Sequence, residues 1–264
     1  VDSSGNLWVA NDNSNTVVAY ASGQLGASGS PTPTVVISGP DLSGGPYALA
    51  FDATGDLWVA NINSGTIVAF TRSELTATGT PVPAVTLGDS SQGFTAGPSG
   101  LAFDGAGNLW VANNVANTIT EYPVSHLVTG GTPSVTISGK AIDWPEEIAF
   151  ASDGSLWVAN TAVDSGHGTI IGYASSALQA SGSTAPGVTL KPPGGPNGTY
   201  VTGVAFDATG DLWYTELDGH TVGEYSTTQL TAFTGAAPAV AVRIPDSLAP
   251  VGLAFYPRAK RLPD

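Results

Sequence analysis

The stretch Pro98-Ser-Gly-Leu-Ala-Phe-Asp-Gly-Ala-Gly-Asn-Leu-Trp-Val-Ala-Asn113 decides how the chain folds, because its pattern runs through the whole sequence. Its second half, Gly-x-Leu-Trp-Val-Ala-Asn, occurs at Gly5–Asn11, Gly55–Asn61, Gly107–Asn113 and Gly154–Asn160. A fifth copy, Gly210–Glu216, reads Gly-Asp-Leu-Trp-Tyr-Thr-Glu. The tryptophans Trp8, Trp58, Trp110, Trp157 and Trp213 are spaced 50, 52, 47 and 56 residues apart. That is a fixed period with loop insertions, the signature of a repeat architecture.

Each repeat divides into four strand-sized runs. In the second repeat these are Ala48–Asp52, Leu57–Asn61, Thr66–Thr71 and Pro83–Leu87. Apolar, β-branched and aromatic residues fill them, and Gly, Asn, Asp or Pro interrupts between them. In the turn Asp52-Ala-Thr-Gly-Asp56, the Asp side chain suits capping of backbone N–H groups and Gly supplies positive φ. Asn63-Ser-Gly65 makes the next turn in the same way. A longer link, Ser73 to Thr80, joins the third and fourth runs. Its Ser-x-Leu opening recurs at Ser125–Leu127 and Ser176–Leu178 and predicts one helical turn. Four antiparallel strands per period predict the blades of a propeller.

The termini fit that scheme. The chain opens on the second strand of its first blade and ends with Gly252-Leu-Ala-Phe255, which reads as a first strand. Joining the last strand to the first blade would remove an exposed sheet edge. The predicted fold is therefore all-β: one five-bladed β-propeller of four-stranded antiparallel blades over residues 1–264, closed by its C-terminal strand. Blade 1 takes residues 1–39 plus 250–256, and blades 2 to 5 take 46–89, 98–139, 145–191 and 200–244. The alternative is a six-bladed ring with a degenerate or missing blade.

The Pro98–Asn113 pattern resembles the NHL-repeat propellers and, equally, their relatives in the SMP-30/gluconolactonase-like superfamily. The resemblance covers essentially the whole chain and implies the fold. It implies little about activity, because propellers of this type serve as lactonases, lyases, sensors and binding platforms. In gluconolactonase-like propellers a divalent cation in the central channel is held by Glu, Asn and Asp at the x position of Pro-x-Gly. The resemblance assigns those positions here to Tyr47, Ser99, Glu146, Thr202 and Val251. Only Glu146 is a hard-cation ligand, whereas such cations want several oxygens. An inherited metal site is thus absent or rebuilt elsewhere.

Composition narrows the rest. Seven Lys+Arg against 21 Asp+Glu give a formal net charge of −14, a field that repels nucleic acid. Arg258, Lys260 and Arg261 read as a solvated tail. No Cys is present, which rules out disulfides and thiol chemistry. No apolar run is long enough to span a membrane. The Ser/Thr/Gly-rich, Lys-poor composition points to a secreted, periplasmic or cell-surface bacterial protein. The start at Val1, inside a repeat, implies processing or a segment left out upstream.

Candidate functional residues are read from the exceptions to the repeat. The five recurring tryptophans read as packing between blades, since a repeated interface requires them. Trp144 belongs to no motif and lies in the loop Gly139–Pro145, where an exposed aromatic could form a binding platform. Glu146 and Glu147 replace Tyr-Ala or Ser-Gly of the sister blades, and Glu216 replaces the Asn that ends the second strand elsewhere, Asn160 included. The insertion Thr161–Gly168 adds Asp164 and His167, and the fifth blade adds Asp218 and His220. These residues share one face on blades four and five, where loops carry function. The predicted ligand site is Trp144, Glu146, Glu147, Asn160, His167, Glu216 and His220, with Glu146 and Glu216 as ligands of a divalent cation such as calcium if one is bound. No catalytic residue is assigned: His126 lies at the other end of its blade, and no nucleophilic triad can be read. Asn197-Gly-Thr199 matches the glycan-acceptor tripeptide. The sequence reading is thus a non-enzymatic, extracytoplasmic scaffold for a protein, glycan or small ligand. The alternatives are a metal-assisted lactonase or lyase and a structural module of a surface assembly.

Overall fold

The structure is a computed structural model that describes residues 1–88, 97–161, 167–193, 200–232, 237–244 and 250–255. Asp164, the Asn197 tripeptide and the basic C-terminal residues lie outside that set. The blades follow the repeats. The first holds β1 (Leu7–Asn11), β2 (Thr16–Tyr20) and β3 (Val35–Ile37); the second holds β4 (Pro46–Phe51), β5 (Leu57–Asn61), β6 (Thr66–Phe70) and β7 (Val85–Leu87). The third holds β8 (Pro98–Phe103), β9 (Leu109–Asn113), β10 (Thr118–Tyr122) and β11 (Val135–Ser138). In the fourth, β12 (Pro145–Phe150), β13 (Leu156–Asn160), β14 (Thr169–Tyr173) and β16 (Val188–Leu190) pair in order, while the short β15 (Gly182–Ser183) leaves to join β11. The fifth holds β17 (Val201–Phe206), β18 (Leu212–Glu216), β19 (Thr221–Tyr225) and β20 (Val240–Arg243).

The chain is an all-β, five-bladed propeller, with its blades in a ring. Neighbouring strands within each blade run antiparallel. The helical turns predicted in the links are short 3-10 turns at Glu74–Thr76, Val124–His126 and Ser175–Leu178, and an α-helix, α1 (Thr227–Ala232), in the fifth blade. Among the described residues no helix is long and apolar enough to cross a membrane.

The repeated residues hold each blade twice over. Asp52 Oδ1 accepts the N–H groups of Thr54 and Asp56, closing the turn, while its Oδ2 accepts Trp58 Nε1–H at 3.1 Å. The same tether joins Asp2 to Trp8, Asp104 to Trp110 and Asp207 to Trp213. The fourth blade carries Ala151 instead, and Ser155 Oγ takes over the Trp157 N–H at 3.0 Å. Each Trp so fixed is met edge-on by the Phe of the next blade's innermost strand. Trp58 meets Phe103 with ring centroids 6.0 Å apart, and Trp110 meets Phe150 at 5.9 Å. Buried cores fill the joints between blades one and two, two and three, three and four, and four and five.

The joint between the fifth blade and the first differs. Residues 250–255 sit beside the fifth blade: the Pro250 carbonyl accepts the Thr202 hydroxyl, and Phe255 meets Trp213. They form no regular strand, and β1 pairs only with β2 among the described residues, so the first blade has three laddered strands. The burial of β1 reflects this. The β5, β9 and β13 strands are buried throughout, but Leu7, Val9 and Ala10 of β1 are only half-buried. The expected closing strand is therefore held to the fifth blade by packing and not laddered to the first.

Candidate functional site

The innermost strands carry a β-bulge directly after their first residue: the register shifts between Pro46 and Ala48, Pro98 and Gly100, Pro145 and Ile148, and Val201 and Gly203. A bulge re-aims the side chain it contains. Tyr47, Ser99, Glu146 and Thr202 consequently line one axial cavity of about 700 Å³, together with Val251, Asp12 and Glu147. These include all five positions at which the family resemblance would put a metal.

Two of these side chains are already committed to structure. Ser99 Oγ–H donates to the Pro145 carbonyl at 2.7 Å, and Thr202 Oγ is shared with Thr215 and the Pro250 carbonyl. Both lace neighbouring innermost strands together. Tyr47, 36% exposed, and the two glutamates remain to face the cavity.

The glutamates differ in charge. Burial pushes the Glu146 carboxyl above the usual carboxylate range, while the Tyr47 hydroxyl and the Asn114 amide approach it and favour its ionised form. One of its oxygens, Oε2, is buried and accepts no hydrogen bond. Glu147 stands where sister blades have Ala48, Gly100 and Gly203. Burial, reinforced by the charge on Glu146, pushes it up to about 8. Glu147 is therefore protonated near neutral pH, and burial biases both carboxyls of the pair towards the neutral form.

The other predicted residues divide. Asn160 is fully buried; its amide donates to the Ala141 carbonyl and the Thr169 hydroxyl, and its carbonyl accepts the Asp143 N–H. It shapes the loop that carries Trp144. Glu216 is 1% exposed, and its carboxylate lies against Gly219, tucked under its own hairpin. Neither lines the cavity. His167 is exposed, and His220 occupies the hairpin after β18 with a left-handed φ of 50°.

Trp144 corrects the sequence reading, because it does belong to the repeat. Its carbonyl accepts the Thr161 N–H as the Gly45 carbonyl accepts that of Ile62 and the Gly97 carbonyl that of Asn114. Gly45 and Gly97 have φ of 75° and 65°, and Trp144 has 50°, a conformation that costs a bulky residue energy. Asn117, from the adjacent blade, accepts the Trp144 N–H at 2.6 Å and pins it there. The signal was legible, since all three residues directly precede Pro46, Pro98 and Pro145. Tyr200 holds the fifth-blade position, its carbonyl accepting the Leu217 N–H. Of the partners of Glu146, Tyr47 was marked only by the family resemblance, and Asn114 was not singled out by sequence. Both stand at repeat positions whose occupants vary from blade to blade.

The donor set does not suit a hard divalent cation. Such an ion wants six to eight oxygens. The cavity offers the carboxyls of Asp12, Glu146 and Glu147, the last protonated, and the Ser99 and Thr202 hydroxyls are engaged. Among the described residues no three His, Asp or Glu side chains are grouped to hold a metal.

These features define a β-propeller with an acidic axial cavity. No protein-family model matches the chain, and no curated protein matches it by sequence. Solved structures with the same fold include virginiamycin B lyase from Staphylococcus aureus, at 16% identity and a TM-score of 0.62 over 96% of this chain and 71% of that one. A streptogramin B lyase matches at 17% identity and 0.58, over 92% of this chain and 66% of that one. Hydrazine synthase from Kuenenia stuttgartiensis matches at 13% and 0.62, over 96% and 87%. At these identities the likeness establishes the fold alone.

Proposed function

We propose that the chain is an extracytoplasmic, ligand-binding propeller whose axial cavity takes a small hydroxyl- or amine-bearing ligand. One observation carries this reading: Glu146, with a buried acceptor oxygen, and a protonated Glu147 stand side by side on the wall of a cavity of about 700 Å³. Together they accept and donate, which is what a hydroxyl or ammonium group requires. The buried, unpartnered Oε2 of Glu146 is a vacant acceptor, and leaving such an atom unpaired is costly.

The test is calorimetric titration with glucosamine, glucose and a simple alkylamine. Binding of at least one is expected, lost in E146Q and weakened in E147Q. Equal affinities in wild type and E146Q would overturn the reading. A second reading, a lyase, draws on the same pair, because proton transfer needs one base and one acid within reach of the substrate. Two of the structures sharing the fold carry that activity in their names. Turnover of a bound ligand, abolished in E146Q, would select it.

A further inference from the structure

The fourth blade departs from its sisters at one place on the axis. In blades two, three and five the residue after the bulge is Ala48, Gly100 or Gly203, and each returns to the ladder, opposite Ala60, Ala112 and Thr215. The space there is closed: a Cβ on Gly100 would meet the Glu146 carbonyl oxygen, and one on Gly203 would meet that of Val251. In the fourth blade the equivalent residue is Glu147, and its rung is missing, because pairing resumes only at Ile148 opposite Val158. The wider bulge lets two consecutive side chains, Glu146 and Glu147, line the same cavity. An unbroken strand would send them to opposite faces.

Packing accounts for neither carboxyl. Among the described residues no hydrogen-bond donor reaches Glu147; burial and the charge on Glu146 are what act on it. Across the axis the space stays open, since a Cβ on Gly252 would come no nearer than 4.0 Å to Glu147 Oε2. Glu146 has the Tyr47 hydroxyl and the Asn114 amide as donors, yet its buried Oε2 has none. Two neighbouring acceptors without donors cost free energy unless a ligand supplies them.

The charge of the cavity says which kind of ligand. Asp12 adds a third carboxyl to its wall, and no Lys, Arg or His side chain lines it among the described residues. The formal net charge of −14 works in the same direction, concentrating cations. A divalent metal ion lacks the oxygens it needs here. A neutral hydroxyl has one hydrogen to donate, whereas a primary ammonium has three and a positive charge, enough for both glutamates at once. Granted the reading of this cavity as a ligand site, we infer that its ligand is a small organic monocation whose primary ammonium sits between Glu146 and Glu147. Its N–H groups donate to Glu146 Oε2 and to the Glu147 carboxylate.

Seating that cation releases a proton. Burial keeps Glu147 neutral in the empty cavity, up to about 8, and a positive charge beside it restores the ionised form. The ammonium and the carboxylic acid thus give an ammonium–carboxylate pair and one H⁺ to solvent. The other titratable side chains on the cavity wall are Glu146, Tyr47 and Asp12; the Val1 amine also lines it, with Asp2 as its electrostatic partner. The strands packed against β12, namely β8, β9, β13 and β17, carry no charged residue. Affinity for the amine therefore rises with pH, by about tenfold per unit while Glu147 is protonated, and levels off above about 8.

Calorimetric titration in two buffers of different ionisation enthalpy counts the proton. Butylamine against 1-butanol and glucosamine against glucose are pairs that differ by one amino group in place of a hydroxyl. Each amine is expected to bind at least about tenfold tighter than its partner, as charge-assisted hydrogen bonds require. At about pH 6.5, close to one proton should be released per butylamine bound. E147Q should bind butylamine more weakly and release none; if that variant does not fold, the proton count and pH slope of the wild type still decide. Alcohols that bind as tightly as the amines, with binding lost in E146Q, overturn the inference and leave the cavity a ligand site. Amine binding without proton release overturns it too. No binding by any of the four overturns it together with the reading it rests on.

Discussion

Phe255 stands edge-on to Trp213, ring centroids 6.0 Å apart and planes at 62°, and so repeats at the end of the chain the contact that Phe51 makes with Trp8. The final segment thus keeps the packing of an innermost strand without its hydrogen-bond ladder. Phe255 is 37% exposed, so the loss on truncation is small. The F255A variant should cost about 1 kcal/mol, the range of one aromatic pair. Chemical denaturation measures it, and a loss as large as that of a core aromatic would show a closed, fully buried joint.

Trp110 is the contrasting case. It is 3% exposed, packs against Phe150 and donates to Asp104. The W110A variant should cost about 3–5 kcal/mol, as for emptying a buried aromatic site. It also leaves one Asp104 oxygen with a partner fewer. The shift in denaturation midpoint at constant slope is the readout, and a change below about 1 kcal/mol would contradict the packing.

Glu147 makes stability depend on pH in an unusual direction. Its folded value, about 8, lies above its ordinary 4.5, so the folded state keeps a proton that the unfolded chain releases. Its contribution is complete below pH 4.5 and is lost as pH rises towards and through 8. The melting temperature of the wild type should fall across that window, and E147Q should flatten the fall. A variant with the wild-type slope would mean that the carboxyl is solvated.

The turn aspartates act at the other end of the scale. Partial burial opposes ionisation of Asp207, but hydrogen bonds from Thr209, Trp213 and Asp211 outweigh it and hold the carboxyl down at about 2. Asp2, Asp52 and Asp104 are lowered by the same contacts. A depressed folded value contributes stability above the ordinary value of 3.8, lost as pH falls towards 2. Tryptophan fluorescence should therefore report loosening of the blades in that acid window. In the fourth blade, where Ser155 holds the Trp, W157 should respond least.

What the sequence made legible follows from what repeats. Five copies of Leu-Trp fixed the blades and the β5 boundaries, because identical residues must solve the same packing problem five times. The bulge that turns Tyr47 and Glu146 towards the axis has no residue signature of its own, so their shared cavity was visible only through the family resemblance. Glu216 misled as a metal ligand because sequence cannot show that its carboxylate folds back over Gly219. Asn160, placed in the predicted ligand site, is a buried tie between its strand and the loop before it.

Trp144 gives the sharpest test, because backbone and side chain can be separated there. Its φ of 50° is one that Gly45 and Gly97 adopt at no steric cost. Replacing it by Ala removes the ring and keeps the strain, while replacing it by Gly removes both. W144G should therefore be more stable than W144A by about 1 kcal/mol, the usual penalty of a left-handed residue. Any binding contributed by the ring should fall equally in the two. Thermal denaturation ranks the variants and titration with the ligand panel compares their affinities. W144A equal to W144G in stability would show that the backbone relaxes once the ring is gone. The contacts of the ring, not the Asn117 hydrogen bond to the backbone N–H, would then be what holds the strained conformation.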